Sequence, residues 1–256
     1  MRVVIKIGTS TLAHKTGLLN ILRVEELCKV MSDLKNAGNE VILVSSGAIG
    51  MGVGKLSLNE KPTDIPTKQA AAAVGQCELM YTYDRLFSNY NHTVAQILIT
   101  GDDIDHADRK QNFINTMRRL LELSAIPIIN ENDSISTNEI EIGDNDTLGA
   151  IVATAVDADL LVILSDINGL YTGDPKKDQN ATLLHTVSQI TPEIENMVGG
   201  AGSSLGTGGM KTKIKAAKIV TKAGIDMVIA NGENPLSLYD IVAGKDVGTR
   251  FLGKAN

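Results

Sequence analysis

The chain of 256 residues has no tryptophan, and aromatic residues make up only 3% of it. Aliphatic side chains must therefore fill the core, and an apolar share of 43% is enough for a sizeable one. Only two cysteines occur, Cys28 and Cys77; they form no Cys-x-x-Cys and fit reduced thiols in a cytosolic protein. Four histidines, His14, His92, His106 and His185, are scattered at no metal-ligand spacing and read as structural or surface residues. There is no basic excess: the formal net charge is −6, which argues against a general nucleic-acid binder. No apolar run approaches the roughly 20 residues of a membrane span. The opening MRVVIKIGTS turns to glycine after a short apolar run and reads as a strand, not a signal peptide. No Gly-x-x-x-x-Gly-Lys-Ser/Thr occurs, nor Gly-x-Gly-x-x-Gly, so the common nucleotide fingerprints are missing.

What is present is an alternation. Val3–Ile7 reads as a buried strand ending in Gly8-Thr9-Ser10. Val24–Leu34 has helical spacing and ends at Ala37-Gly38-Asn39; Val41–Val44 is the next strand, ending at Ser45-Ser46-Gly47. Helix is expected over Ala70–Phe87, strand over Val94–Ile99, helix over Phe113–Leu123, and strand over Ile126–Ile129, which ends in Asn130-Glu131-Asn132-Asp133. Ile135–Ile142 alternates as a hairpin would. A helix over Leu148–Val156 leads to a strand over Leu160–Leu164, then Ser165-Asp166. A helix from Met210 and a last core strand, Met227–Ala230, complete the series. This predicts an α/β fold: a three-layer αβα sandwich with a mostly parallel central sheet. The whole chain reads as one domain, with lobes of about 1–165 and 166–256 and a polar turn, Gly173–Asn180, as the seam. In such folds ligands gather beyond the carboxyl ends of the strands. Here those ends are rich in Gly, Ser, Asn and Asp.

Gly199–Lys213 contains six glycines in fifteen residues and runs into the Met210 helix, with Lys211 and Lys213 in its first turn. A glycine-rich loop opening a helix is suited to an anion; the ordinary alternative is a loose loop before a solvated lysine face. Gly202–Gly206 also matches Gly-x-Ser-x-Gly, but glycine-rich loop lies on both sides and no histidine partner stands out. Lys6 is unusual in an apolar strand, since burying an unpaired ammonium is costly; it needs an anionic partner, or an edge strand that turns it to water. Asp133, Asp144, Asp146 and Asp166 lie at strand ends, where turn and capping duties are the ordinary reading. The cluster Asp102, Asp103, Asp105 and Asp108 reads as a solvated loop. Glycine loops, two isolated lysines and carboxylates, with no evident nucleophile, suggest phosphoryl transfer, which relies on positioning and charge neutralisation.

Taken together, KIGTS at Lys6–Ser10, SSGAI at Ser45–Ile49, INEND at Ile129–Asp133, GDND at Gly143–Asp146, SDINGLYTGDP at Ser165–Pro175 and GTGGMKTK at Gly206–Lys213 resemble the amino acid kinase family. SDINGLYTGDP is family-wide; the other stretches resemble the branch that acts on L-glutamate. The resemblance implies ATP-dependent phosphorylation of the glutamate side-chain carboxylate, the first step of proline synthesis, in a cytoplasmic homo-oligomer subject to feedback by proline. It implies Lys6 and Lys213 at the phosphoryl group in flight, oriented by Asp146. Ser46, Asp133 and Asn145 would hold glutamate, with Gly47 near its backbone end and Asn130 and Asp144 in support. Lys6, Gly8, Ser165, Asp166 and Thr207, Gly208, Gly209, Met210, Lys211, Thr212 and Lys213 would line the ATP site, with Mg²⁺ arriving with the nucleotide. No membrane or nucleic-acid partner is expected. The motifs run in the family order over nearly the whole chain; many members carry a C-terminal PUA domain after the kinase domain, which this chain is expected to lack, and catalysis is expected not to need it. Other acceptors known in the family, and a nucleotide sensor without catalysis, are the alternatives. A phosphate-bearing acceptor would want extra cations, which SSGAI, NEND and GDND do not supply.

Overall fold

Strand periodicity explains the layers. Strands β1 (Arg2–Ile7), β2 (Glu40–Val44), β3 (Val94–Ile99), β4 (Ile126–Glu131), β5 (Leu160–Ser165), β6 (Thr186–Val187), β7 (Asp226–Asn231) and β8 (Thr249–Phe251) form one eight-stranded sheet. Its order is β3-β4-β2-β1-β5-β7-β8-β6. The computed structural model describes residues 1–14, 18–60, 62–135, 145–175, 178, 180–197 and 209–254. The expected hairpin beyond Ile135, Asp144, the Gly-x-Ser-x-Gly stretch and the glycine run up to Gly208, with Thr207, lie outside the described residues, as do three positions of the expected seam, Lys176, Lys177 and Gln179.

The helices are α1 (Thr9–Leu12), α2 (Ile21–Asn36), α3 (Ala48–Lys55), α4 (Ile65–Ser88), α5 (Gly101–Asp105), α6 (Ala107–Glu122), α7 (Asn145–Ala155), α8 (Pro192–Met197), α9 (Met210–Lys222) and α10 (Ser237–Val242). Side chains alternate across a strand, so odd and even positions serve opposite layers. Val3, Ile5 and Ile7 pack with α2, α4 and α10, whereas Val4 packs with α6, α7 and α9. The same rule sends Lys6 to the α7/α9 side. The pairs from β3 through β7 are parallel, and β8 adds antiparallel to β7. The expected αβα sandwich with a mostly parallel sheet is therefore the observed architecture.

Several boundaries differ from the sequence expectation for local reasons. Helix α4 starts five residues early because Asp64 accepts the Thr67 backbone N–H and proline occupies its first turn. Met227–Ala230 is not the last core strand: β8 follows it and buries Phe251 completely. The acidic cluster is not a loop. Asp102, Asp103 and Asp105 belong to α5, where Thr100 and Asp103 form a capping box, and Arg109 pairs with Asp102 and Asp103. Helix α3 has no sequence signal, three of its eight residues being glycine. Its N-cap, Gly47, has φ +95°, a conformation that suits glycine.

Glycine also sets how closely α3 docks on α4. A Cβ built on Gly52 would lie 1.8 Å from the Ala71 carbonyl oxygen, and one on Gly75 would lie 1.8 Å from that of Ala48. Backbone atoms, not side chains, bar the added methyl, so the helices must separate. Gly75→Ala is expected to lower stability by about 3 kcal/mol or more, at the top of the overpacking range, in a urea titration. Gly54→Ala meets nothing within 4 Å and should gain up to about 1 kcal/mol in the same assay. Equal effects from the two substitutions would contradict the close-docking account.

Candidate active site

The carboxyl ends of β1, β2, β4 and β5 open on one edge of the sheet. Strand β1 lies between β2 and β5, with Lys6 in register with Val44 and Ile163. This excludes the edge-strand alternative for Lys6, which is 7% exposed. Its required anionic partner comes from α7, which packs across β1, β2, β4 and β5. Asp146, in the first turn of α7, is completely buried and places Oδ1 2.7 Å from Lys6 Nζ. Lys213, in the first turn of α9 and 3% exposed, donates from Nζ to the other oxygen, Oδ2, at 3.0 Å. Thr212 Oγ1 stands 2.8 Å from that same Oδ2.

One carboxylate thus lies between two ammonium groups. Burial pushes the Asp146 carboxyl up, but Lys6, Lys213 and the Thr212 hydroxyl outweigh it and hold the group below the usual carboxylate range. Two helix N-termini, of α7 and α9, converge here and add donor character. Two ammonium groups and two N-terminal dipoles make the cluster a seat for a multiply charged anion.

Across β1 the site changes character. Asn145 Nδ2 donates to the Ser45 carbonyl at 2.7 Å and lies 2.6 Å from Ser46 Oγ and 3.2 Å from Asn130 Oδ1. Asn130 Nδ2 donates to Gln76 Oε1 at 2.9 Å. Gly47 caps α3 directly beyond Ser46, and Asp133 sits half-buried in the turn after β4. This half of the site is neutral amide and hydroxyl, with one carboxylate near its rim. Gly8 ends β1 over the lysine, and a Cβ there would lie 3.7 Å from Lys6 Nζ. Ser165, at the end of β5, donates to the exposed Asp166 at 3.1 Å.

The structure therefore brings Lys6, Asp146, Lys213 and Thr212 into one cluster, and Ser46, Asn130 and Asn145 into another. Gly209 is the N-cap of α9, Met210 packs against the α7/α9 core, and Lys211 points to solvent with the other exposed lysines of that helix. Three participants escape sequence reasoning. Thr212 supports Asp146, although the motif suggested only a nucleotide contact; Gln76 and Tyr83 reach Asn130 and Ser45 from α4. Their signal was two polar residues seven apart on an otherwise apolar stripe.

A depressed carboxyl contributes stability above its unfolded pKa, and the contribution is lost as pH falls through its lower folded value. Asp146→Asn leaves two buried ammoniums without their anion and should cost about 3–5 kcal/mol near neutrality. The difference between the two proteins should stay level from about pH 8 to 5 and shrink progressively below about pH 4, where the unfolded chain takes up a proton at this carboxyl that the native protein refuses, until native Asp146 itself protonates. Urea titrations across that range would show it, and a pH-independent gap would count against the ion cluster.

Known proteins resemble this chain in sequence and in fold. A model of the amino acid kinase family matches residues 1–231. A protein named glutamate 5-kinase from Clostridium perfringens is 55% identical over 257 residues, covering 99% of this chain and 96% of the relative. One of the same name from Clostridium acetobutylicum is 53% identical, with 99% and 95% covered. Another, from Carboxydothermus hydrogenoformans, is 52% identical, but this chain spans 68% of its length. Among solved structures, carbamate kinase from Giardia lamblia bound to AMP-PNP superposes with a TM-score of 0.71 at 16% identity, covering 99% of this chain and 98% of that one. Isopentenyl phosphate kinase from T. acidophilum gives 0.66 at 17%, with 98% and 100% covered; at such identities the likeness is one of fold. With the family model spanning most of its length and relatives sharing half its residues, the chain belongs to the amino acid kinase family.

Proposed function

We propose that this protein transfers the γ-phosphoryl group of ATP to the side-chain carboxylate of L-glutamate, giving L-glutamyl 5-phosphate, the first step of proline biosynthesis. The observation that carries it is the adjoining of a cationic Lys6–Asp146–Lys213 cluster and a neutral amide–hydroxyl pocket at the same sheet edge. Relatives named glutamate 5-kinase at 53–55% identity over 99% of the chain support the acceptor.

The chemistry suits the site. A carboxylate is already ionised, so one of its oxygens attacks γ-phosphorus directly, the bond from phosphorus to the bridging oxygen of ADP breaks, and no proton has to be removed. No general base is required. The obstacle is charge: two like unit charges 4 Å apart repel by about 4 kcal/mol at an effective dielectric of 20. Lys6 and Lys213 offset this by standing beside the transferred group, and Asp146 holds both ammoniums in place. Ser46, Asn130 and Asn145, with Asp133 for the ammonium of the amino acid and Gly47 near its backbone end, hold glutamate. Ser165, Asp166 and Gly209–Lys213 receive the nucleotide, which enters as Mg-ATP, its metal keeping phosphate and water ligands.

The same assignment includes feedback by proline at or near the glutamate pocket, assembly as a homo-oligomer and residence in the cytoplasm. Support for the last is that Cys28 and Cys77 are free and that, among the described residues, no helix is long and apolar enough to cross a membrane. The two lobes meet, on this assignment, between the glutamate and nucleotide sides.

Purified protein with Mg-ATP and hydroxylamine should release ADP in step with hydroxamate when L-glutamate is supplied, and not with L-aspartate, N-acetylglutamate, UMP or no acceptor. ADP release with another acceptor would overturn the glutamate assignment. Lys6→Ala and Lys213→Ala should each lower kcat by roughly 10²–10³, about 3–4 kcal/mol of transition-state stabilisation, at a temperature where circular dichroism shows both folded. Unchanged turnover in both would refute their role. Asp133→Ala should raise KM for glutamate and leave that for ATP nearly alone; the reverse would mean that the two subsites are exchanged.

A further inference from the structure

We infer that Gln76 and, in the same manner, Tyr83 of α4 are positioning residues that fix the hydrogen-bond polarity of the acceptor pocket and thereby its affinity for the amino acid. The inference rests on the acceptor assignment above.

Polarity can be traced from backbone groups, which cannot reverse roles. The Glu131 N–H donates to Asn130 Oδ1 at 2.9 Å. Asn130 Nδ2 must then point the other way, where Gln76 Oε1 accepts it at 2.9 Å. The Ser45 carbonyl can only accept, so Asn145 presents Nδ2 to it, and the same nitrogen reaches Ser46 Oγ and Asn130 Oδ1. Ser46 Oγ therefore accepts from Asn145, and its own hydrogen is left to be donated outward, as a carboxylate ligand requires. Tyr83 supports the second branch. Ser45 Oγ donates to the Ser46 carbonyl at 3.2 Å, so the Tyr83 hydroxyl, 2.9 Å away, is the donor to Ser45.

Gln76 is 7% exposed and Asn130 1%. Gln76 Nε2 is shielded and has no acceptor among the described residues. A buried amide that leaves its donor unmade is poor packing chemistry, since an aliphatic side chain would fill the same space without the penalty. What the residue does supply is an acceptor for Asn130 Nδ2. Gln76 and Tyr83 are seven residues apart, so both project from the same face of α4. One stands behind the end of β4 and the other behind the end of β2.

The test is steady-state kinetics with thermal melting for wild type, Gln76→Met and Tyr83→Phe, the second variant removing one hydroxyl while keeping the ring. Gln76→Met should raise KM for glutamate about 10-fold, and Tyr83→Phe about 3-fold, with kcat and KM for ATP within about two-fold. Unchanged KM for glutamate in both variants overturns the inference. So does a loss of kcat and of both KM values in step with a lowered melting temperature. Should Gln76→Met fail to fold, Tyr83→Phe decides alone. Wild-type protein that forms no glutamate-dependent hydroxamate overturns the functional assignment, and the inference with it; wild-type turnover with insensitive variants overturns the inference only.

Discussion

A single buried carboxylate ties three distant parts of the chain together. Asp146 begins α7, Lys6 belongs to β1 and Lys213 begins α9, and their charged atoms meet within 3.0 Å in a region closed to solvent. None of the three could be buried alone, because an isolated charge in a low-dielectric interior costs several kcal/mol even after relaxation. Each is therefore a condition for the others. The helix that carries Asp146 must cross β1 at one height, and α9 must begin where Lys213 can reach the second oxygen. Such a cluster is weak evidence of net stabilisation, since a well-packed apolar trio could serve as well. Its retention makes sense when its two ammonium groups are used to meet an anion.

Those ammonium groups have a place because of sheet topology. β1 stands at the centre, β2 and β4 lie to one side, and β5 and β7 lie to the other. The chain reverses its direction of travel across the sheet at β1, and crevices in parallel sheets form where this happens. Alternation along β1 puts Lys6 on the α7/α9 layer and its neighbours Ile5 and Ile7 into the opposite core. A shift of one residue in register would bury the ammonium among α2 and α4 and turn an isoleucine into the site.

Much of this was legible in the sequence. Lysine in an apolar strand signalled a buried partner, and the polar strand ends marked the edge where the site lies. The central strands and the helices between them followed from periodicity. What escaped was non-local or unpatterned. Thr249–Phe251 is too short to show alternation, and only its pairing with β7 makes it a strand. Helix α3 reads AIGMGVGK, a poor helix by propensity, and forms because Gly52, with Gly75 of α4, lets it dock against α4 at backbone distance. Gln76 and Tyr83 look like tolerated polar residues until Asn130 and Ser45 are seen to face them. Asp146 was one of several carboxylates able to serve Lys6, and sequence spacing alone had no means of choosing between them.

The two halves of the site differ in the kind of chemistry that can tune them. On the α7/α9 side, full charges are coupled through one carboxylate, so any change is felt by all three groups and shifts their electrostatics together. On the α3/α4 side, neutral dipoles are locked in sequence by backbone groups at Ser45 and Glu131, so a change there reverses or frees a hydrogen bond without altering net charge. On the proposed assignment, long-range fields act on the transferred phosphoryl group, whose charge is spread over several oxygens. On the same assignment, short-range directional bonds hold the acceptor, where a missing donor or acceptor leaves a buried polar group unsatisfied and is strongly discriminated. A docked, glycine-close helix pair suits the second task, because hydrogen-bond selectivity depends on sub-ångström placement, whereas charge neutralisation tolerates small displacements.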